Sequence, residues 1–185
     1  HLHTIFCLHE LCGTTPENTF HHTIENRDDN TKIVLLHAPQ RKNPAIGLPM
    51  MVPSWFNYAS DNSGQNVRDK FNKTHLRQQI VRILEEIAQE EPSVNIGIMG
   101  YSQGGCLAIE VVKNWEYNQT PLWFCHASRC INLTDDTYNF LTPVLVTLGT
   151  EDEIFPFQFS KKTFGNTNAA VVGFEMNHYM EHVGE

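Results

Sequence analysis

The first chemical signal is Gly100-Tyr101-Ser102-Gln103-Gly104-Gly105. A G-x-S-x-G string is common by chance, so its context has to give it meaning. The apolar run 94–99 ends at the motif, and an amphipathic pattern starts right after it. A strand, a sharp turn and a helix in that order present a serine hydroxyl as a nucleophile. Glycines on either side let the turn close and the helix approach the strand. The plain alternative is a glycine-rich turn with an ordinary serine. A serine hydroxyl attacks a carbonyl only with a base beside it. Downstream, Gly149-Thr150-Glu151-Asp152 follows the apolar run 143–148, and Glu175-Met176-Asn177-His178 follows the run 169–174. Both groups sit just past the carboxyl ends of expected strands, where parallel sheets gather reactive residues. An acid that orients a histidine, which in turn takes the serine proton, is the relay used for acyl transfer. Glu151 and Glu153 compete with Asp152 for the acid position, and His182 competes with His178.

These residues need a frame. Apolar runs of strand length recur at 4–8, 32–36, 94–99, 121–125, 143–148 and 169–174. They are continuous rather than alternating, which suits strands covered on both faces. Between them lie helical patterns. Over 67–90, Phe71, Ile80, Ile83, Leu84 and Ile87 fall on one stripe, with Asp61, Asn62, Ser63 and Gly64 as turn and cap before it. Over 105–115, Leu107, Ala108, Val111, Val112 and Trp115 repeat at helical spacing. Strands alternating with helices predict an α/β fold, a mostly parallel sheet of about six strands flanked by helices. Two connections are long. Residues 10–30 are polar and turn-rich, whereas 37–66 hold methionines, Trp55 and Phe56 and are too apolar for disorder.

Composition narrows the function. The chain has 185 residues, suited to one domain over 1–185, with 41% hydrophobic and 18% charged residues. A formal net charge of -8 argues against nucleic acid and against a basic grip on membranes. No apolar run approaches the ~18 residues of a membrane span. Five cysteines, an odd number without a C-x-x-C pair, fit free thiols in a reducing, cytoplasmic compartment. Sequons at Asn72, Asn118 and Asn132 carry no weight. The chain begins at His1, so no signal peptide can be judged.

Five stretches together resemble the phospholipase/carboxylesterase family of α/β-hydrolases, which includes acyl-protein thioesterases and small lysophospholipases. They are Ile5-Phe6-Cys7-Leu8-His9 with Leu11; His37-Ala38-Pro39 leading to Pro53-Ser54-Trp55-Phe56; Gly100 to Gly105; Gly149 to Pro156; and Met176-Asn177-His178. The resemblance implies Ser102 as nucleophile, His178 as general base and then acid, and Asp152 as the carboxylate that fixes the imidazole. It implies an oxyanion hole made by the backbone N–H groups of Leu11 and Gln103. It implies an acyl-chain groove bordered by Met50, Met51, Trp55 and Phe56. The implied substrate is an acylated protein, a lysophospholipid or a small ester, with at most transient membrane contact and with no metal or cofactor.

The match has departures. The family's H-G-x-G-D reads His9-Glu10-Leu11-Cys12-Gly13 here. A carboxylate within ~5 Å of a developing oxyanion would cost on the order of 3 kcal/mol, or about a hundredfold in rate. The family's S-G-x-L-P segment is absent, and Ala127-Ser128-Arg129-Cys130-Ile131 stands there. Seven residues follow His178, so the family's C-terminal helix is not expected in this sequence. These departures leave open a second reading, a hydrolase-fold subunit with little activity in a larger protein assembly. His178-Tyr179-Met180-Glu181-His182 spells an inverted zinc signature but has no further acidic ligand well downstream, His1, His3, His21 and His22 have only loose metal spacing, and Cys106 reads as a small core residue.

Overall fold

Strands without polar alternation need cover on their faces, and here they form one parallel sheet. The computed structural model describes residues 1–58, 71–92, 94–116, 120–134 and 136–179. The elements in chain order are β1 (His3–Leu8), α1 (Pro16–Thr19), α2 (His21–Glu25), β2 (Thr31–Leu36), β3 (Gln40–Asn43), β4 (Leu48–Pro53) and α3 (Lys73–Ile87). They continue with β5 (Asn95–Tyr101), α4 (Gln103–Glu116), β6 (Phe124–Ser128), β7 (Val144–Gly149), α5 (Phe157–Thr163) and β8 (Ala170–Phe174). Among the described residues the main sheet has six strands in the order β2-β1-β5-β6-β7-β8, every neighbouring pair parallel. β3 and β4 form a separate antiparallel ribbon inside the second long connection.

Five strands lie within one or two residues of the apolar runs that predict them. The sixth does not. The run 121–125 overshoots, because β6 begins three residues later at Phe124 and ends in His126-Ala127-Ser128. Pro121 has no N–H for a ladder, and the polar residues at 126 and 128 hide the true strand from a hydropathy reading. β8 also departs from expectation. Val172 and Phe174 are 40% and 47% exposed, because β8 is an edge strand with an open face.

The main core fills one face of the sheet. Phe6, Leu8, Ile98, Cys125, Val146 and Leu148 from the strands meet α4, whose Leu107, Ala108, Val111 and Val112 are fully buried. α3 packs on α4 through Leu76, Ile80, Ile83 and Ile87. Its cap is Asn72, whose side chain accepts from the His75 N–H at 2.9 Å. The expected turn at Asp61, Asn62, Ser63 and Gly64 lies outside the described residues. Phe71 precedes the helix and bridges to Tyr58 instead of extending the helical stripe. On the other face Cys7, Phe20 and Tyr101 form a smaller cluster under α1 and α2. Asn132 is 1% exposed and donates to the Thr163 carbonyl, so that sequon lies in the core. Among the described residues no helix is long and apolar enough to cross a membrane.

The closest helix–strand approach sits at the serine turn. A Cβ on Gly104 would stand 2.0 Å from the Leu8 carbonyl oxygen, and one on Gly100 would stand 2.3 Å from the Gly104 oxygen. Both obstacles are backbone, so neither can swing away. Gly104→Ala is therefore expected to destabilise the protein by about 3 kcal/mol, read as a drop in the urea midpoint. An unchanged midpoint would show that α4 does not ride this close to β1.

Candidate active site

β5 ends at Tyr101 and α4 starts at Gln103, so Ser102 alone makes the turn. Its φ is 53°, in the left-handed region. The strain is held by the Ser102 N–H, which donates to the Ser128 carbonyl at 2.8 Å, and by the Ser102 carbonyl, which accepts from Cys106 at 3.0 Å. Ser102 Oγ lies 2.9 Å from His178 Nε2. His178 Nδ1 lies 2.8 and 3.0 Å from the two Asp152 oxygens. A carboxylate only accepts, so Nδ1 carries the hydrogen and Nε2 is left to accept the serine proton. Asp152 is itself oriented, because its Oδ1 accepts from the Ile154 and Phe155 N–H groups at 2.9 and 2.7 Å. Glu151 and Glu153 are exposed and stand apart from His178. His182 lies outside the described residues.

The loop after β1 reaches its shape without the expected glycines. Cys12 stands where the resemblance expects one and takes φ 65°. Its N–H donates to the Pro53 carbonyl at 2.9 Å. His9 is fully buried and works from both ring nitrogens. Its Nε2 accepts from the Ala38 N–H at 3.0 Å, so Nδ1 must be the protonated nitrogen that donates to the Glu10 carbonyl at 2.7 Å. Burial pushes the His9 basicity below its usual value, partly offset by the Glu10 carbonyl and carboxylate. The Trp55 indole donates to the His9 carbonyl at 2.7 Å. Among the described residues the Leu11 and Gln103 N–H groups donate to no protein acceptor.

Leu11, Ser102 and His178 line one cavity of about 410 Å³, with Glu10, Tyr101 and Phe155 among its walls. The groove residues expected from the sequence need correction. Trp55 and Phe56 are fully buried and line no part of this cavity. They form a buttress. The Gln103 side chain accepts from the Trp55 N–H at 2.8 Å and donates to the Phe56 carbonyl at 2.7 Å. Met50 and Met51 are 58% and 55% exposed on β4 and are also absent from the cavity wall. Short-range apolarity marked this connection, but its aromatic residues face inward to cover the sheet. Cys12 lines the cavity, with its thiol pushed up by partial burial and by Glu10. Burial pushes Cys106 up to about 12, which suits an inert core thiol.

Two positioning residues escaped the sequence reading. The Tyr101 hydroxyl donates to the His178 carbonyl, fixing the histidine backbone while Asp152 fixes its ring. Arg129 is 2% exposed with φ 50°, and its Nε–H donates to the Asn177 carbonyl at 3.3 Å. The only available signal for Arg129 was its place where a glycine was expected. Among the described residues no three His, Cys, Asp or Glu side chains gather as a metal site.

The phospholipase/carboxylesterase family model matches residues 1–183. No curated protein matches the sequence. Among solved structures, acyl-protein thioesterase 2 of Zea mays superposes with a TM-score of 0.74 at 16% identity, covering 98% of this chain and 88% of that one. A variant of SOBER1 from Arabidopsis thaliana gives 0.73 at 19% identity, over 95% and 90% of the two chains. Esterase PE8 gives 0.60 at 16% identity, over 96% and 85%. At these identities the likeness is one of fold, and it is the α/β-hydrolase fold.

Two outcomes test this geometry. Cys12→Gly removes left-handed strain at the cost of a looser unfolded chain, and is expected to raise stability by about 1 kcal/mol in denaturant unfolding. A loss would place Cys12 in a conformation other than the left-handed one. For His9, the folded state binds a proton less readily than the unfolded state. Its contribution is therefore complete above the ordinary histidine value of about 6.5 and is lost as pH falls below it, with a slope of up to about 1.4 kcal/mol per unit. The half-buried His75 and His126 are also held low and add to the same slope. The His9→Gln variant should lose the His9 share of the slope between pH 6.5 and 5. An unaltered slope would remove His9 from the loop's support.

Proposed function

The chain belongs to the phospholipase/carboxylesterase family of hydrolases, and from the hydrogen-bonded line Ser102–His178–Asp152 we propose that it is a serine hydrolase of fatty-acyl esters or thioesters. The observation that carries the reading is the 2.9 Å contact between Ser102 Oγ and His178 Nε2, with Asp152 behind it. In this reading Ser102 Oγ attacks the acyl carbonyl while His178 Nε2 takes the hydroxyl proton. Asp152 holds the imidazole and stabilises the imidazolium. The Leu11 and Gln103 N–H groups receive the oxyanion. Gln103 is the first residue of α4, so its N–H has no partner within the helix. The intermediate collapses and expels the alcohol or thiol, which takes the proton from His178. Water then attacks the acyl-Ser102 ester by the same route, returning free enzyme and a carboxylic acid.

The substrate side rests on chemistry and on likeness. Leu11, Ile154 and Phe155 give part of the cavity wall an apolar surface that suits an acyl chain. The thioesterase and esterase relatives in fold support an acylated thiol or a carboxylic ester. All five cysteines are free, which supports work in a reducing compartment. Glu10 is tied by Thr19, whose hydroxyl donates to Oε2 at 2.9 Å, and its side chain forms no hydrogen bond to Ser102 or His178 among the described residues. That favours the enzyme over the inactive-subunit reading.

A fluorophosphonate probe is expected to label the protein on Ser102, with labelling lost in Ser102→Ala and His178→Ala. Asp152→Asn should cut kcat for a p-nitrophenyl ester by on the order of a thousandfold or more. A folded wild-type protein that takes no label would overturn the enzyme reading and favour the structural subunit.

A further inference from the structure

Glu10 is the unexpected charge in this site. It lines the cavity that holds Ser102, and it also lines a second cavity of about 640 Å³. Tyr101 and Tyr179 belong to both, so the three residues form a shared wall. The second cavity runs under α1 and α2 past Phe20 and Met99, with His21, His22 and His126 further along. Among the described residues neither cavity is lined by a lysine or arginine. Among the described residues the Glu10 carboxylate has no cationic partner; one oxygen takes the Thr19 hydroxyl. The nearby cation, Arg129, turns its Nε–H to the Asn177 carbonyl and lines neither cavity. Asp152 is spoken for by His178 and two backbone N–H groups.

A carboxylate on a wall shared with two tyrosines, with no lysine or arginine among the described lining residues, is matched by one ligand chemistry. An ammonium group pairs with the carboxylate and lies against the rings. The same charge has a second effect. A neutral substrate would develop its oxyanion with the Glu10 carboxylate uncompensated in the same cavity, whereas a cationic substrate brings the compensation with it.

The geometry points to Glu10, with Tyr101 and Tyr179, as a binding site for the ammonium group of a cationic ester or thioester substrate. This rests on the proposed hydrolase activity and adds the substrate class to it. The site selects for positive charge near the scissile bond and against negative charge. The preference weakens as salt rises, because the wall is partly open to solvent.

The test has a turnover arm and a binding arm. In the first, kcat/KM is measured for matched ester sets ending in trimethylammonium, primary ammonium, tert-butyl or carboxylate, with the varied group on the acyl arm in one series and on the alcohol arm in another. In at least one series the wild type should favour the ammonium esters over the tert-butyl ester by about tenfold and disfavour the carboxylate ester. The ratio should collapse towards unity in Glu10→Gln. Equal rates for cationic and neutral esters in both series would overturn the inference while leaving the hydrolase reading intact. In the second arm, calorimetric titration with phenyltrimethylammonium requires no turnover. Binding about tenfold tighter to wild type than to Glu10→Gln supports the site even if no ester is cleaved, an outcome that would sink only the hydrolase reading. Equal binding overturns the site. The trimethylammonium and primary ammonium esters separate a quaternary head group from an amine.

Discussion

A left-handed backbone on a residue with a side chain costs about 1–2 kcal/mol, and it persists only where surrounding contacts leave no other choice. Ser102 is held that way by the approach of α4 to β1 and β5. Gly104 lies against the Leu8 carbonyl so closely that even a methyl group is excluded. With the helix that near, its first amide opens beside the serine hydroxyl, and the hydroxyl stands out of the turn towards β7 and β8. Asp152 and His178 then need only follow their strands. The same constraint explains the register. β5 pairs with β1 on one side and β6 on the other, so the turn sits in the middle of the sheet, where it cannot shift alone.

The three non-glycine residues with positive φ among the described residues are Cys12, Ser102 and Arg129. Each lies past the carboxyl end of a strand, the end of the sheet that also carries Asp152 and His178. Two stand where glycine would be easier. Their strain is offset by buried partners rather than by conformational freedom. Cys12 is tied through Pro53, and its loop is held by His9 and the Trp55 indole. Arg129 is tied through Thr147, whose carbonyl accepts its N–H at 2.8 Å, and through Asn177. The loop that looks defective by composition is therefore braced by other means.

Much of this was legible in the sequence because it rests on local order. Continuous apolar runs gave strands, and the residues just past their ends gave Ser102, Asp152 and His178. What escaped depends on direction rather than spacing. Hydropathy could not tell that Trp55 and Phe56 turn inward to meet Gln103 and the His9 carbonyl, because a buried aromatic and a groove aromatic look alike in a string. Arg129 was hidden for the opposite reason, since a charged residue reads as exposed. The end of β6 was lost because His126 and Ser128 break the apolar run, although the strand pairs with a neighbour on each side. Glu10 was visible as a departure, but its sign, repulsive or useful, depended on the absence of a nearby countercharge along the cavity wall.

The Gln103 side chain joins the start of α4 to the connection between β2 and α3. It grips the long connection through the N–H of Trp55 and the carbonyl of Phe56, groups that every non-proline residue carries, and more loosely through the Ser54 hydroxyl. Its two shorter contacts are blind to the side chains at 55 and 56. A substitution at Phe56 that keeps its backbone in place leaves this grip intact, whereas one at Ser54 or Trp55 removes a side chain that touches Gln103 or the loop after β1. A single change at Gln103 would touch the connection and the amide beside the nucleophile at once.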